Sequence, residues 1–182
     1  ANPAIAVNDT GPVTAVIDGD DGLGHVVVDK AMKHAIGLAR TNGVGMVGAI
    51  NSSHCGALSY FVRMAALENM IGIAMTNTDK MVVPFGGKSA FFGTNPLAFA
   101  FPAGNRAPVI LDLATSSVAY GKVLEALHAG RPIPPDWGVD DDGSAVTDPR
   151  HFAALLPFGG AKGYGLAMAV DIFAGILTGS PY

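Results

Sequence analysis

The residues able to do chemistry in this 182-residue chain are few, and three short stretches hold the best of them. Asn51-Ser-Ser-His54-Cys55-Gly56 puts a histidine beside the only cysteine, in a polar loop that precedes an apolar, helix-like run. His54 reads either as a surface cap or as an acid/base. Small neighbours at Cys55, Gly56 and Ala57 leave room for a substrate, and the positive end of the following helix favours a neutral ring able to accept a proton. Cys55 is the plainer case. Neighbours on a turn usually point apart, and Cys/His nucleophile pairs meet in space from distant positions, so Cys55 reads as a small buried or half-buried residue. The run Leu111-Asp112-Leu113-Ala114-Thr115-Ser116 falls where a strand hands over to a helix. There, free backbone N–H groups can hold a phosphate and a carboxylate can bind a ribose hydroxyl. Asp112 or Ser116 as an ordinary N-cap is the alternative. Lys162 stands in Gly159-Gly-Ala-Lys-Gly-Tyr-Gly165, a flexible loop ahead of the last helix, where small neighbours let a ligand approach; a solvated lysine is the alternative.

Other motifs fail on context. Gly43-Val-Gly45-Met-Val-Gly48 spells the dinucleotide fingerprint, but a helix precedes it and a strand follows, the reverse of what that motif needs. It reads as a helix terminator running into a strand. Gly87-Lys88-Ser89 resembles the end of a phosphate loop, yet the first glycine of that motif would fall on Val82. Histidines at 25, 34, 54, 128 and 151 show no ligand spacing, so no metal is expected. No G-x-S-x-G elbow is present for a serine hydrolase.

These residues need elements to position them. Residues 13–24 read as a strand followed by an acidic, glycine-rich turn, and 26–43 as a helix ending at Gly43. A buried strand at 45–53 leads into the His54 loop. Ser53 is the expected cap of a helix from about Gly56 to Asn69, with Leu58, Phe61, Val62, Ala65 and Ala66 on one face. Strands are expected at 71–78 and 108–117, with loop, strand and turn between them. A helix over 118–130 closes at Gly130, residues 131–150 form a long polar excursion, and 161–179 form the last helix. Pro-Phe-Gly-Gly occurs at Pro84 and again at Pro157, with no wider period around it. Some intervals between strands are too short for a crossover helix, so the expected fold is α/β with a mixed sheet and packed helices.

Composition sets limits. A hydrophobic content of 49% and a mean hydropathy of +0.37 fit one domain with a substantial core and buried helices or an oligomer interface. A net charge of −4 without clustered Lys and Arg argues against a nucleic-acid surface. The longest apolar stretch, 164–179, is shorter than a membrane span and holds Asp171. One cysteine allows no internal disulfide and fits a reducing compartment, and the first ten residues lack the pattern of a signal peptide, so a cytoplasmic protein is expected.

Seven stretches then point to one family: His54-Cys-Gly-Ala-Leu-Ser-Tyr-Phe-Val62, Met81–Gly87, Phe92-Gly-Thr-Asn-Pro-Leu-Ala-Phe-Ala-Phe-Pro102, Leu111–Ser116, Ile133-Pro-Pro-Asp-Trp-Gly-Val-Asp140, Leu155–Asp171 and Leu177–Tyr182. In these the chain resembles the malate/L-lactate dehydrogenase family, which is unrelated to the Rossmann-type lactate and malate enzymes. The resemblance implies a non-Rossmann α/β fold, commonly homodimeric. It implies an NAD(P)-dependent oxidoreductase, with NAD favoured over NADP, that moves a hydride to or from a small 2-hydroxy or 2-oxo acid such as ureidoglycolate, malate or lactate. His54 matches the family's general acid/base. Thr78, Asp112, Leu113, Ala114 and Lys162 match positions that contact the cofactor. A reductase of 2-oxo acids or cyclic imines, or a dinucleotide-binding domain without turnover, are the alternatives. Family members carry further segments ahead of the equivalent of Ala1 and past that of Tyr182. Residues 1–182 are therefore expected to be the cofactor-binding and catalytic core domain of a longer enzyme.

Overall fold

The computed structural model describes residues 2–179, so Ser180, Pro181 and Tyr182 of the last resembling stretch lie outside the described residues. The chain packs as two units, one built from residues 2–75, 97–112 and 173–179 and the other from 76–96 and 113–172.

In the first unit, β1 (Ala6–Asp9) runs antiparallel to β2 (Thr14–Gly22), and β2 runs parallel to β3 (Met46–Ser52). Chain length dictates this mixture. The four residues between β1 and β2 allow only a hairpin, whereas α1 (Gly24–Asn42) supplies the crossover that a parallel pair needs. Ala15 and Ile17 alternate inward along β2, and Ile17 packs with Val27 and Ala31 of α1. The helix stops where expected: Gly43 takes φ 84°, and its N–H donates to the Ala39 carbonyl.

A second sheet orders β4 (Gly72–Met75), β5 (Leu97–Ala103) and β6 (Arg106–Leu113) side by side. Against it lies α2 (Leu58–Leu67), which buries the face expected from its periodicity: Leu58, Phe61, Val62, Ala65 and Ala66. Leu58, Phe61, Val62 and Ala66 share a cluster with Cys55 and with Ala98 and Ala100 of β5. Each large side chain buried there contributes about 1.5–3 kcal/mol.

The second unit is built around α3 (Tyr120–His128), whose Val123 and Ala126 pack with Val82, Ile133, Val146 and Leu155. Two short strands, β7 (Gly138–Val139) and β8 (Ala154–Leu155), pair antiparallel. Residues 131–150 are thus no polar excursion. Ile133, Val139 and Val146 anchor them in the core, while Asp140 folds the intervening turn by accepting from the Asp142 and Ser144 N–H groups. Pro- and Asp-rich composition hid three apolar anchors too far apart to register as a periodic pattern. The last helix, α4 (Ala161–Asp171), passes into a π-helical turn at Ile172–Ile176 instead of running regularly to 179.

Candidate active site

His54 is exposed on the loop between β3 and α2, but that loop is held firmly. The Gly24 N–H donates to Ser53 Oγ at 3.0 Å, and the Ser53 N–H donates to the Gly22 carbonyl at 3.3 Å. Ser53 therefore caps the start of α1 and not α2, which corrects the expectation from sequence. The residue before α2 is Ala57, which offers no side-chain cap. Its place is taken by Asp112, whose Oδ2 accepts the Ser59 N–H at 2.7 Å. A full carboxylate at the positive end of a helix forms a charge-assisted bond, stronger than the one a serine hydroxyl would offer.

This bond also revises Asp112. It does the work of a cap, for a helix 53 residues away in sequence, so one of its oxygens is committed. Cys55 is buried beneath the same loop. Burial, with a smaller contribution from the Asp112 charge, pushes its thiol above the usual range, which makes it a poor nucleophile. Cys55→Ala is accordingly expected to keep kcat within about twofold at a cost of about 1 kcal/mol in stability. Abolished turnover in a correctly folded variant would make the thiol a participant.

The handover expected after Asp112 takes another form. Strand β6 ends at Leu113, and α3 begins only at Tyr120, with no side-chain cap at Ala119. In between, the Thr115 N–H donates to the Thr94 carbonyl at 2.8 Å and the Ser117 N–H to the Leu156 carbonyl at 2.7 Å. Those two N–H groups are spent on the fold, and the helix begins at Tyr120 instead of directly after Ser116. Ser116 is buried, with its hydroxyl donating to the Val118 carbonyl at 2.8 Å, and caps no helix. Leu113 and Ala114 are half-buried.

In the second unit, Thr78 Oγ1 accepts the Thr94 N–H at 2.9 Å, and the Thr78 N–H donates to Asn95 Oδ1 at 3.2 Å. Asn95 is wholly buried, and its Nδ2 donates to the Ala167 carbonyl at 2.9 Å. One side chain thus ties the Thr78 segment to α4, the helix that carries Lys162. Sequence reading did not single out Asn95. The available signal was a polar residue inside a run of glycine and apolar residues, but nothing in its spacing pointed 72 residues onward.

Lys162 is exposed in the first turn of α4, not in a flexible loop. The glycines ahead of it shape a tight turn, with φ 57° at Gly159 and 63° at Gly160. Gly163 closes the packing, since a Cβ there would lie 2.1 Å from the Phe158 carbonyl oxygen. Lys162 makes no ion pair among the described residues, and a cation at the positive end of a helix favours an anion beside it. The two Pro-Phe-Gly-Gly turns also meet. Val82 and Leu155 form a parallel bridge, so the turns at 84 and 157 emerge side by side and line a cleft of about 500 Å³ with Lys88, Ser117 and Asp136.

Among the described residues, no group of three His, Cys, Asp or Glu could hold a metal ion, and no helix is long and apolar enough to cross a membrane.

Comparison with known proteins gives concordant matches. Residues 1–182 match the malate/L-lactate dehydrogenase family. The chain is 46% identical over 180 residues to ureidoglycolate dehydrogenase (NAD(+)) of Escherichia coli O157:H7, covering 99% of this chain and 52% of that protein. It is 48% identical over 176 residues to L-sulfolactate dehydrogenase of Methanocaldococcus jannaschii, covering 96% and 51%. Among solved structures, delta1-piperideine-2-carboxylate reductase from Pseudomonas syringae superposes with a TM-score of 0.94 at 37% identity, covering 99% of this chain and 55% of that one. The chain spans about half the length of the curated relatives it matches. Its α/β fold, with small sheets and packed helices, is the malate/sulfolactate dehydrogenase-like fold implied by the sequence motifs.

Proposed function

Because this chain belongs to the malate/L-lactate dehydrogenase family, we propose that it serves an oxidoreductase that moves a hydride between a nicotinamide dinucleotide and C2 of a small 2-hydroxy acid. The observation that carries this reading is the setting of His54: an exposed imidazole on a loop whose backbone is fixed by Ser53 and Gly24. In the oxidative direction His54 takes the proton of the substrate hydroxyl as the C2–H bond breaks. In the reverse direction it returns that proton to the carbonyl oxygen. Proton transfer by a positioned group of this kind contributes about 10²–10⁴-fold to the rate.

Each residue proposed to contact the dinucleotide carries a group suited to one part of it. Lys162, which makes no ion pair among the described residues, offers a cation for a diphosphate at a helix terminus whose field also favours anions. Thr78 is held in place through Thr94 and Asn95, Leu113 and Ala114 present half-buried surface, and Asp112 has a second carboxylate oxygen for a ribose hydroxyl. When bound, the dinucleotide supplies the hydride-accepting carbon, so the protein's share is alignment and proton transfer.

We read the substrate as ureidoglycolate or a similar 2-hydroxy acid and the cofactor as NAD, since both are named for a relative at 46% identity. Likeness to a piperideine-carboxylate reductase favours a second reading, in which His54 donates its proton to the reduced product. Initial rates of NADH formation with ureidoglycolate, sulfolactate and malate, set against NADH consumption with Δ1-piperideine-2-carboxylate, separate the two. A homodimer is the proposed assembly, covering apolar surface such as Val109 and Leu111 of β6.

Lys162→Ala is expected to weaken dinucleotide binding about ten- to a hundredfold, the effect of losing one charge-assisted contact. Its thermal midpoint should hold or rise slightly, because the variant removes a cation from the positive end of α4. NADH fluorescence titration and calorimetry measure the two effects. An unchanged Kd would leave Lys162 as a solvated helix residue.

A further inference from the structure

We infer that His25 is a positioning residue for His54, its ring a plate against which the His54 imidazole and the Gly56 backbone are set. The inference rests on His54 being the acid/base. His25 lies in the first turn of α1, and its ring stands edge-on to that of His54, with centroids 6.3 Å apart and planes at 81°. Its Nε2 occupies the space beside Gly56, lying 2.7 Å from where a Cβ on that residue would sit. Gly56 has φ +77°, so the chain turns sharply there, directly beneath the His25 ring.

The contact is not an isolated touch between two exposed side chains, because the segments that carry them are joined at three more points. Asp18 Oδ1 accepts from the Asn51 side-chain amide at 3.0 Å and from the Asp20 N–H at 3.0 Å. Gly24 donates to Ser53 Oγ, and Ser53 donates back to the Gly22 carbonyl. Gly24 approaches so closely that a Cβ would lie 2.0 Å from the Ser53 carbonyl oxygen and 2.7 Å from that of His54. The turn from β2 into α1 is therefore a fixed mount for the His54 loop. His25 is the side chain of that mount whose ring meets the imidazole.

The ring makes no hydrogen bond among the described residues, so the role is steric: it restricts rotation of the His54 ring and keeps the proton-transferring nitrogen aimed. Reacting groups displaced by about 1 Å can lose on the order of 10²-fold in rate, and partial freedom of one ring should cost about tenfold.

Steady-state kinetics on the complete protein, with NAD and the 2-hydroxy acid it turns over best, test this. His25→Ala is expected to lower kcat about tenfold, with dinucleotide KM within about twofold and the thermal midpoint unchanged. His25→Phe keeps the plate without its nitrogens and is expected to restore kcat to within about threefold of the parent. His54→Gln is measured alongside. A large loss in His54→Gln with parental kcat in His25→Ala would overturn the positioning role alone. His25→Phe as slow as His25→Ala would also overturn it, because a ring nitrogen would then be doing chemistry. Parental kcat in His54→Gln would remove the acid/base reading itself, and the role of His25 with it.

Discussion

Replacing His54 with glutamine is expected to lower kcat by about 10²-fold or more, while dinucleotide affinity and folding stability stay close to those of the parent. Glutamine fills similar space and can still hydrogen-bond to a substrate hydroxyl, but it cannot take up a proton. Stability should be spared because the ring is exposed and the loop is held by Ser53, Gly24 and the Asp18–Asn51 bond, not by the imidazole. Single-turnover rates at saturating ligands, with a separate binding isotherm for NADH, check both halves. A near-parental rate of the chemical step would take His54 out of the reaction.

Asn95→Ala is expected to cost about 2–4 kcal/mol of unfolding free energy and to weaken dinucleotide binding as well. Truncation removes the buried bond to the Ala167 carbonyl and the part-buried bond to the Thr78 N–H, and leaving a buried polar group without its partner costs about 1–3 kcal/mol. Alanine must also adopt φ 35°, a left-handed conformation that asparagine tolerates better. Loss of affinity follows because Asn95 couples the Thr78 segment to α4. Asn95→Asp separates the two bonds: it keeps an acceptor for Thr78 and gives up the donor to Ala167. Urea unfolding should show a lower midpoint at constant m for both variants, whereas a parental midpoint in Asn95→Ala would mean that the buried bonds carry no net stability.

What could be read in the sequence was whatever depends on residues close together along the chain. Gly43 ends α1 because a left-handed residue closes that helix locally, and the buried face of α2 follows from apolar spacing alone. Rejecting the Gly43-Gly45-Gly48 fingerprint was sound for the same reason. Gly43 is a helix terminator, Gly48 lies within β3, and a Cβ on Gly45 would lie 2.2 Å from the Ala35 carbonyl oxygen. What stayed hidden depends on partners far away in sequence. Ser53 looked like the cap of the helix following it, but the cap of α2 comes from β6 and Ser53 serves α1. Glycines around Lys162 suggested mobility, yet Gly163 is there for close packing, which the neighbouring Phe158 carbonyl shows. Likewise His25 was one of five scattered histidines, and only the parallel pairing of β2 with β3 brings the segment ahead of it beside the His54 loop.

The most direct measurement follows the hydrogen itself. The complete protein is incubated with NAD and a 2-hydroxy acid carrying deuterium at C2, ureidoglycolate or sulfolactate, and the reduced dinucleotide is examined by mass spectrometry and NMR. The C2–D bond should break with its electron pair, the hydroxyl proton leave by way of His54, and one deuterium appear at C4 of the nicotinamide for each 2-oxo acid formed. His54→Gln should give the same labelled product about 10²-fold more slowly. Reduced dinucleotide without deuterium, or no 2-oxo acid from any 2-hydroxy acid while NADH still binds, would contradict hydride transfer by this protein.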